Sequence, residues 1–196
     1  MRGPIKVSHL MKWFDKGMSE YQYIEAMSIH QERLLKVYNE VEVSEGEKRQ
    51  LKDLQNKHLK AVILTADWCG DAMVNLPILM RFADEALIET RYLIRDDNLE
   101  LMDQYLTNGT ARSIPIVVFL NQAGEEVAKW GPRAAEVQDF VEKLKEELEV
   151  PTDKEDPQYD AAFKSFIQGI TEEFSTNEDI WKWVKRSLLD VLAKLK

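Results

Sequence analysis

From residue 60 to residue 148 the chain alternates short apolar runs with amphipathic stretches, and that alternation limits the folds open to it. Residues 61–66 form an apolar run ending in a polar turn, the form of a strand buried on both faces. Residues 71–87 have helical periodicity, with Met73, Leu76, Met80, Ala83 and Leu87 on one face; Pro77 lies inside and is expected to kink the helix. Residues 88–95 read as a strand, and 98–106 as a helix ended by Asn108 and Gly109. Residues 114–120 form another buried strand, with Pro115 at its start, where a strand tolerates proline. A turn at Asn121-Gln122-Ala123-Gly124 leads to a strand over 125–130, and Gly131-Pro132 breaks the chain before a helix over 134–148. The order is β-α-β-α-β-β-α. A β-α-β unit followed by a hairpin and a closing helix predicts an α/β fold, a mixed sheet with helices on both faces.

The flanking segments read as helical. Ser19 with Gln22, and Ser44 with Glu47, have the spacing of capping boxes. Ile24, Met27, Leu34, Tyr38 and Val41 follow the first near helical spacing, Leu51 and Leu54 follow the second, and a short helix around residues 10–14 precedes both. Residues 150–158 mix prolines with acidic residues, as a linker does. Beyond them, Phe163, Phe166, Ile167, Ile170 and Phe174 mark one amphipathic helix, and Trp181, Val184, Leu188, Leu192 and Leu195 another. Trp181 and Trp183 flank Lys182 and so point to different faces. The chain therefore divides into a helical extension (1–59), a central domain (60–149), and a linker with a helical pair (150–196). The apolar stripes of that pair suit a core or a homo-oligomer.

The net charge of −9 argues against nucleic acid and against an anionic membrane surface, both of which require clustered Lys and Arg. No apolar run approaches the length of a membrane span, and residues 1–10 lack the apolar centre of a secretory signal. A single cysteine rules out an intramolecular disulfide and favours a reducing compartment, so a cytoplasmic location is expected. His9, His30 and His58 have no partners at metal-ligand spacing, and neither metal nor cofactor is expected. Asp96-Asp97 reads as a helix cap rather than an acid–base pair, and the Glu/Lys alternation over 136–149 as a solvated helix face.

The one cysteine, Cys69, stands in Trp68-Cys69-Gly70-Asp71-Ala72, where strand gives way to helix. A lone cysteine is commonly a small buried hydrophobe; the turn context argues instead for an exposed thiol. A helix N-terminus offers unpaired N–H groups and a positive partial charge, which favour a thiolate. Asp67 and Asp71 oppose it, because nearby carboxylates disfavour a second negative charge. The expected balance is a pKa modestly below that of a free thiol, with Asp71 also favouring the start of the helix.

These residues together resemble thioredoxin. Trp68-Cys69-Gly70 stands at the strand-to-helix turn, and Pro77 follows the cysteine by eight residues, where thioredoxins carry a helix-kinking proline. Ile114-Pro115 opens the next buried strand, as the cis-proline does in thioredoxins, and Gly131 follows the last strand at a place that thioredoxins also give to glycine. The resemblance covers residues 60–148 and implies a thioredoxin fold with N-terminal and C-terminal helical extensions. It also implies a cis Ile114–Pro115 bond beside Cys69, with Trp68 as a lid and Arg112, Ser113 and Ile114 in a peptide-binding surface. Two departures matter. Thioredoxins carry Cys-Gly-Pro-Cys where this chain has Cys69-Gly70-Asp71-Ala72, and residues 61–66 lack the buried acid of the thioredoxin strand. Ala72 is either natural or a trap engineered into a two-cysteine parent; the second departure at Asp71 favours the former.

The implied function is that of a monothiol redox protein. Cys69 would be the nucleophile, shaped by Trp68, Gly70, Asp71, Ala72, Ile114 and Pro115. A protein or peptide disulfide would be the substrate, and a small thiol such as glutathione or bacillithiol would release the adduct, since Ala72 cannot. The rival reading is a non-catalytic binding module that uses the groove beside Trp68 and Pro115. A redox sensor whose Cys69 is reversibly capped is a third.

Overall fold

The structure, a computed structural model, describes residues 7–195. The expectation for residues 1–6, and that for the side chain of His9, lie outside the described residues. The fold is α/β. Its centre is a four-stranded mixed sheet in the order β2-β1-β3-β4, formed by β1 (Lys60–Thr65), β2 (Glu89–Ile94), β3 (Ile116–Leu120) and β4 (Glu126–Trp130). β1 runs parallel to β2, with Ile63 opposite Tyr92, and antiparallel to β3, with Ile63 opposite Val117. β3 and β4 form the antiparallel hairpin, with an irregularity between Phe119 and Leu120. Every residue of β3, and all of β1 beyond Lys60, is buried, which explains why these strands read as unbroken apolar runs. The outer edge of β2 is covered at one point by Met18, which exchanges two 2.9 Å backbone hydrogen bonds with Tyr92.

Helices α1 (Val7–Lys16), α2 (Glu20–Ala26), α3 (Gln31–Glu40) and α4 (Glu45–Lys52) precede the sheet. α5 (Gly70–Ala86) is the crossover between β1 and β2, α6 (Leu99–Met102) follows β2, and α7 (Ala135–Glu147) follows β4. α8 (Tyr159–Thr176) and α9 (Glu178–Leu192) close the chain. α1 packs on β1 and β2, while α5 is packed against α3, α4, α8 and α9. α5 is buried on all sides, from Ala72 through Met80, and a helix apolar all round must be enclosed. The helices on either side of the central sheet in sequence therefore share one apolar cluster with it, including Leu34, Leu51, Phe82, Phe119, Ile180 and Leu188. No helix among the described residues is long and apolar enough to cross a membrane.

Both capping boxes form: Ser19 with Gln22, and Ser44 with Glu47. The single helical period read through Ile24, Met27, Leu34 and Val41 is broken, however. α2 stops before Met27, and α3 starts after His30, whose backbone is left-handed (φ 60°). The cause is tertiary. The Asp67 carboxylate accepts hydrogen bonds from Ser28 N (2.9 Å), Ile29 N (3.1 Å) and Ser28 Oγ (3.0 Å), and a continuous helix would have used the two N–H groups internally. Leu87 does not complete the core face of α5. It takes a left-handed conformation (φ 55°), is 65% exposed, and ends the helix as Ile88 N–H bonds back to Ala83 O.

The helix expected over 98–106 is only the short α6. Asn108 and Gly109, both at positive φ, make a tight turn between Thr107 and Ala111 instead of a helix end. Neither Asp96 nor Asp97 caps α6: Asp96 pairs with Arg95, and the residue before α6 is Asn98, whose side chain donates to Ile94 O and accepts from Lys16 Nζ. In the C-terminal pair, Trp181 is buried and Trp183 packs partly buried against Phe140.

Phe174 is 2% exposed on α8 and lies against Gly70, the first residue of α5. Phe174→Ala is expected to lower stability by about 3–5 kcal/mol in a single urea transition. A loss below about 1 kcal/mol, or a separate transition for the C-terminal helices, would show that the pair is not part of the cooperative core.

Candidate functional site

The site is built where β1 ends. Asp67 turns toward the 28–29 loop, Trp68 points outward, and Cys69 sits at the N-terminal boundary of α5 (φ −80°, ψ 116°). Ala72 lies one turn in and is buried, as is Pro115. The Ile114–Pro115 bond is cis, as the resemblance implied, and the Cys69 thiol donates to Ile114 O at 3.4 Å. Gly131–Pro132 is a second cis bond, which the sequence did not signal. Gly131 has φ 116°, and a Cβ there would collide with the Pro115 carbonyl, so only glycine allows the two loops this close.

Cys69 forms the floor of an open depression of about 520 Å³ whose rim includes Trp68, Asp71, Arg95, Arg112 and Arg133. Ser113, Ile114 and Pro132 complete one side. The Trp68 ring is 45% exposed and is covered by the Arg95 guanidinium at 4.8 Å, a cation–π contact. Arg95 Nη1 also donates to Arg112 O at 3.2 Å. Arg112 is held by both oxygens of Asp103, at 2.7 and 3.1 Å.

Asp71 does more than favour the start of the helix. Its carboxylate receives Arg133 Nε and Nη2, both at 2.6 Å, and the two side chains are only 16% and 21% exposed. Arg133 is also held by Gln138 Oε1 (2.6 Å), and its loop is tied to α5 by Asn75 Nδ2 donating to Pro132 O (3.0 Å). Arg95, Arg133 and Gln138 escape a sequence reading because nothing in their local pattern marks them. Arg133 follows the Gly131-Pro132 break, which was the only available signal.

The electrostatics reverse the expected direction for the thiol. Burial is the main cause, with the Asp71 charge second, and together they raise the Cys69 pKa from 9.0 to about 11. The N–H groups of Ala72 and Asp71, and the Arg133 charge, act the other way without balancing them. The helix N-terminus does supply donors, but Cys69 is only 8% exposed, not the exposed thiol that its turn context suggests, and desolvation outweighs them. Behind the thiol, Tyr23 from α2 bonds Thr65 Oγ1 at 3.2 Å and stacks on Tyr92 at 4.9 Å. Burial is the main cause that pushes the Tyr23 phenol up to about 12; the Thr65 hydrogen bond pulls against it, and the charges of Cys69 and Asp67 act with burial.

Two outcomes follow from this charge arrangement. Asp71→Asn is expected to lower the Cys69 pKa and Arg133→Gln to raise it, as read from the pH dependence of iodoacetamide alkylation. An unchanged pKa in both variants would show that the pair does not act on the thiol. The second concerns stability. The folded protein holds the Cys69 proton more tightly than the unfolded chain. That stabilisation is complete below pH 9 and is lost as the pH rises toward about 11. Cys69→Ser is expected to remove up to about 2–3 kcal/mol of the alkaline decline in this window, measured by denaturation at a series of pH values.

Among known proteins, the family described as Thioredoxin matches residues 17–145. A solved structure of a Pseudomonas aeruginosa protein of unknown function is 16% identical and superposes with a TM-score of 0.65 over 94% of this chain and 95% of that one. An HIV epitope scaffold is 14% identical, with a TM-score of 0.63 over 94% and 96%. Identities this low show the fold alone, and at this coverage the likeness takes in helices on both sides of the sheet. No curated protein matches. The family match spans well over half the chain and includes the Trp68-Cys69-Gly70 turn, Pro77, Pro115 and Gly131. The chain thus belongs to the thioredoxin family, in a form whose motif keeps one cysteine.

Proposed function

We propose that the chain acts in thiol–disulfide exchange through Cys69 alone. The observation that carries this reading is the position of the thiol: it lies at the floor of an open depression, between the first N–H groups of α5 and the cis-Pro115 loop. In the first step the Cys69 thiolate attacks one sulfur of a protein or peptide disulfide. A mixed disulfide forms, the substrate S–S bond breaks, and the leaving sulfur departs with the electron pair and takes up a proton. The chain has no second cysteine to resolve the adduct. A small thiol must do so, returning Cys69 as a thiol and leaving the small thiol joined to the substrate half.

The raised pKa limits the rate of this chemistry. At neutral pH burial keeps Cys69 mainly as the thiol, and the thiolate is a minor form. That favours one competing reading, a binding module whose depression holds a peptide while Cys69 stays inert. Intact mass separates the two. After incubation with 2-hydroxyethyl disulfide at pH 8, the wild type is expected to gain a single adduct and Cys69→Ser none. Sustained reduction of a protein disulfide is expected only with an added small thiol. A wild type that stays unmodified, while its unfolded form reacts, would favour the binding module; turnover without added thiol would refute the monothiol mechanism.

A further inference from the structure

The depression around Cys69 carries three guanidinium groups, those of Arg95, Arg112 and Arg133, against the single carboxylate of Asp71. This concentration of positive charge occurs in a chain of net charge −9. The carboxylates that hold Arg95 and Arg112 belong to Asp96 and Asp103, neither of which lines the depression. The arginines are also fixed in place. Arg95 is pinned between the Trp68 ring and Arg112 O, Arg112 is gripped by Asp103, and Arg133 by Asp71 and Gln138. Donors already held in position lose little side-chain freedom when a ligand arrives. Planar guanidinium groups match carboxylates in geometry as well as charge. A concave surface lined by three cations and one anion favours anionic ligands over cationic ones.

From this we infer that the site selects small thiols and disulfides bearing carboxylates a few bonds from sulfur, with Arg95 and Arg112 as the recognition groups. The inference rests on the monothiol reading for its chemistry, though the recognition itself does not require Cys69 to react. In the reaction, Cys69 loses its proton to solvent, its thiolate bonds one sulfur of the anionic disulfide, the S–S bond breaks, and the other half leaves as its thiolate. Arg112 is the cleaner test residue, because its side chain is 47% exposed and its loss should leave the core intact. Arg95 also supports Trp68.

The experiment compares mixed-disulfide formation with 3,3′-dithiodipropionate (anionic), 2-hydroxyethyl disulfide (neutral) and cystamine (cationic). Each rate is divided by that of the same reagent with a cysteine-containing reference peptide. The expected result is a preference for dithiodipropionate over cystamine of about tenfold or more at low ionic strength, largely erased in 1 M salt. Arg112→Gln is expected to reduce the preference by about threefold, with an unchanged melting temperature. Cystamine reacting as fast as dithiodipropionate, or a preference untouched by Arg112→Gln, would overturn the inference. A second measurement uses the full chain carrying Cys69→Ser. Dithiodipropionate is expected to shift the backbone amide NMR signals of residues 112–114 and cystamine is not. If none of the three reagents modifies Cys69, the monothiol reading fails alone; if dithiodipropionate also leaves those signals unmoved, the inference fails with it.

Discussion

A helical stretch with no exposed face cannot lie on a surface, and from Ala72 to Met80 α5 is such a stretch. Met73, Val74, Leu76, Ile78, Leu79, Met80 and Phe82 are all buried, so the sheet alone could not shield it. The remaining cover comes from α3 and α4 before the sheet and α8 and α9 after it. What reads in the sequence as a small fold with helical additions at each end is therefore one solution to one packing problem. Burying a Leu, Ile or Phe side chain is worth about 1.5–3 kcal/mol, and α5 alone presents several. Exposing even part of that surface would consume most of the stability of an ordinary domain.

The same enclosure sets the character of the thiol. Cys69 begins α5, and the packing that surrounds the helix shields its N-terminus as well. Two opposing effects meet there. Unpaired N–H groups and Arg133 favour negative charge, while desolvation and Asp71 disfavour it, and desolvation prevails. Within the Asp71–Arg133 pair, the carboxylate acts on the thiol more strongly than the guanidinium does.

Much of this architecture was legible because it follows from local pattern. β1 and β3 announce themselves as apolar runs, the capping boxes mark α2 and α4, and Pro115 and Gly131 mark the two loops that meet beside Cys69. What could not be read depends on groups distant in sequence. Asp67 draws off the N–H groups of Ser28 and Ile29 and splits a segment whose own spacing is helical. Arg133 reaches across 62 residues to Asp71, turning an apparent surface charge into half of a shielded ion pair. The thiol pKa missed in sign for the same reason: helix polarity is a local property, burial is not.

Gly131 has one more consequence. Its contact with Pro115 is made by main chain against main chain. Where side chains meet, a change on one side can be answered by a change on the other, and the contact survives sequence drift in altered form. Two backbones offer no such adjustment. Substitutions in the aromatic and charged rim around Cys69 would alter what the depression accepts. They would leave the spacing between the two loops as it is, because main chain alone sets it.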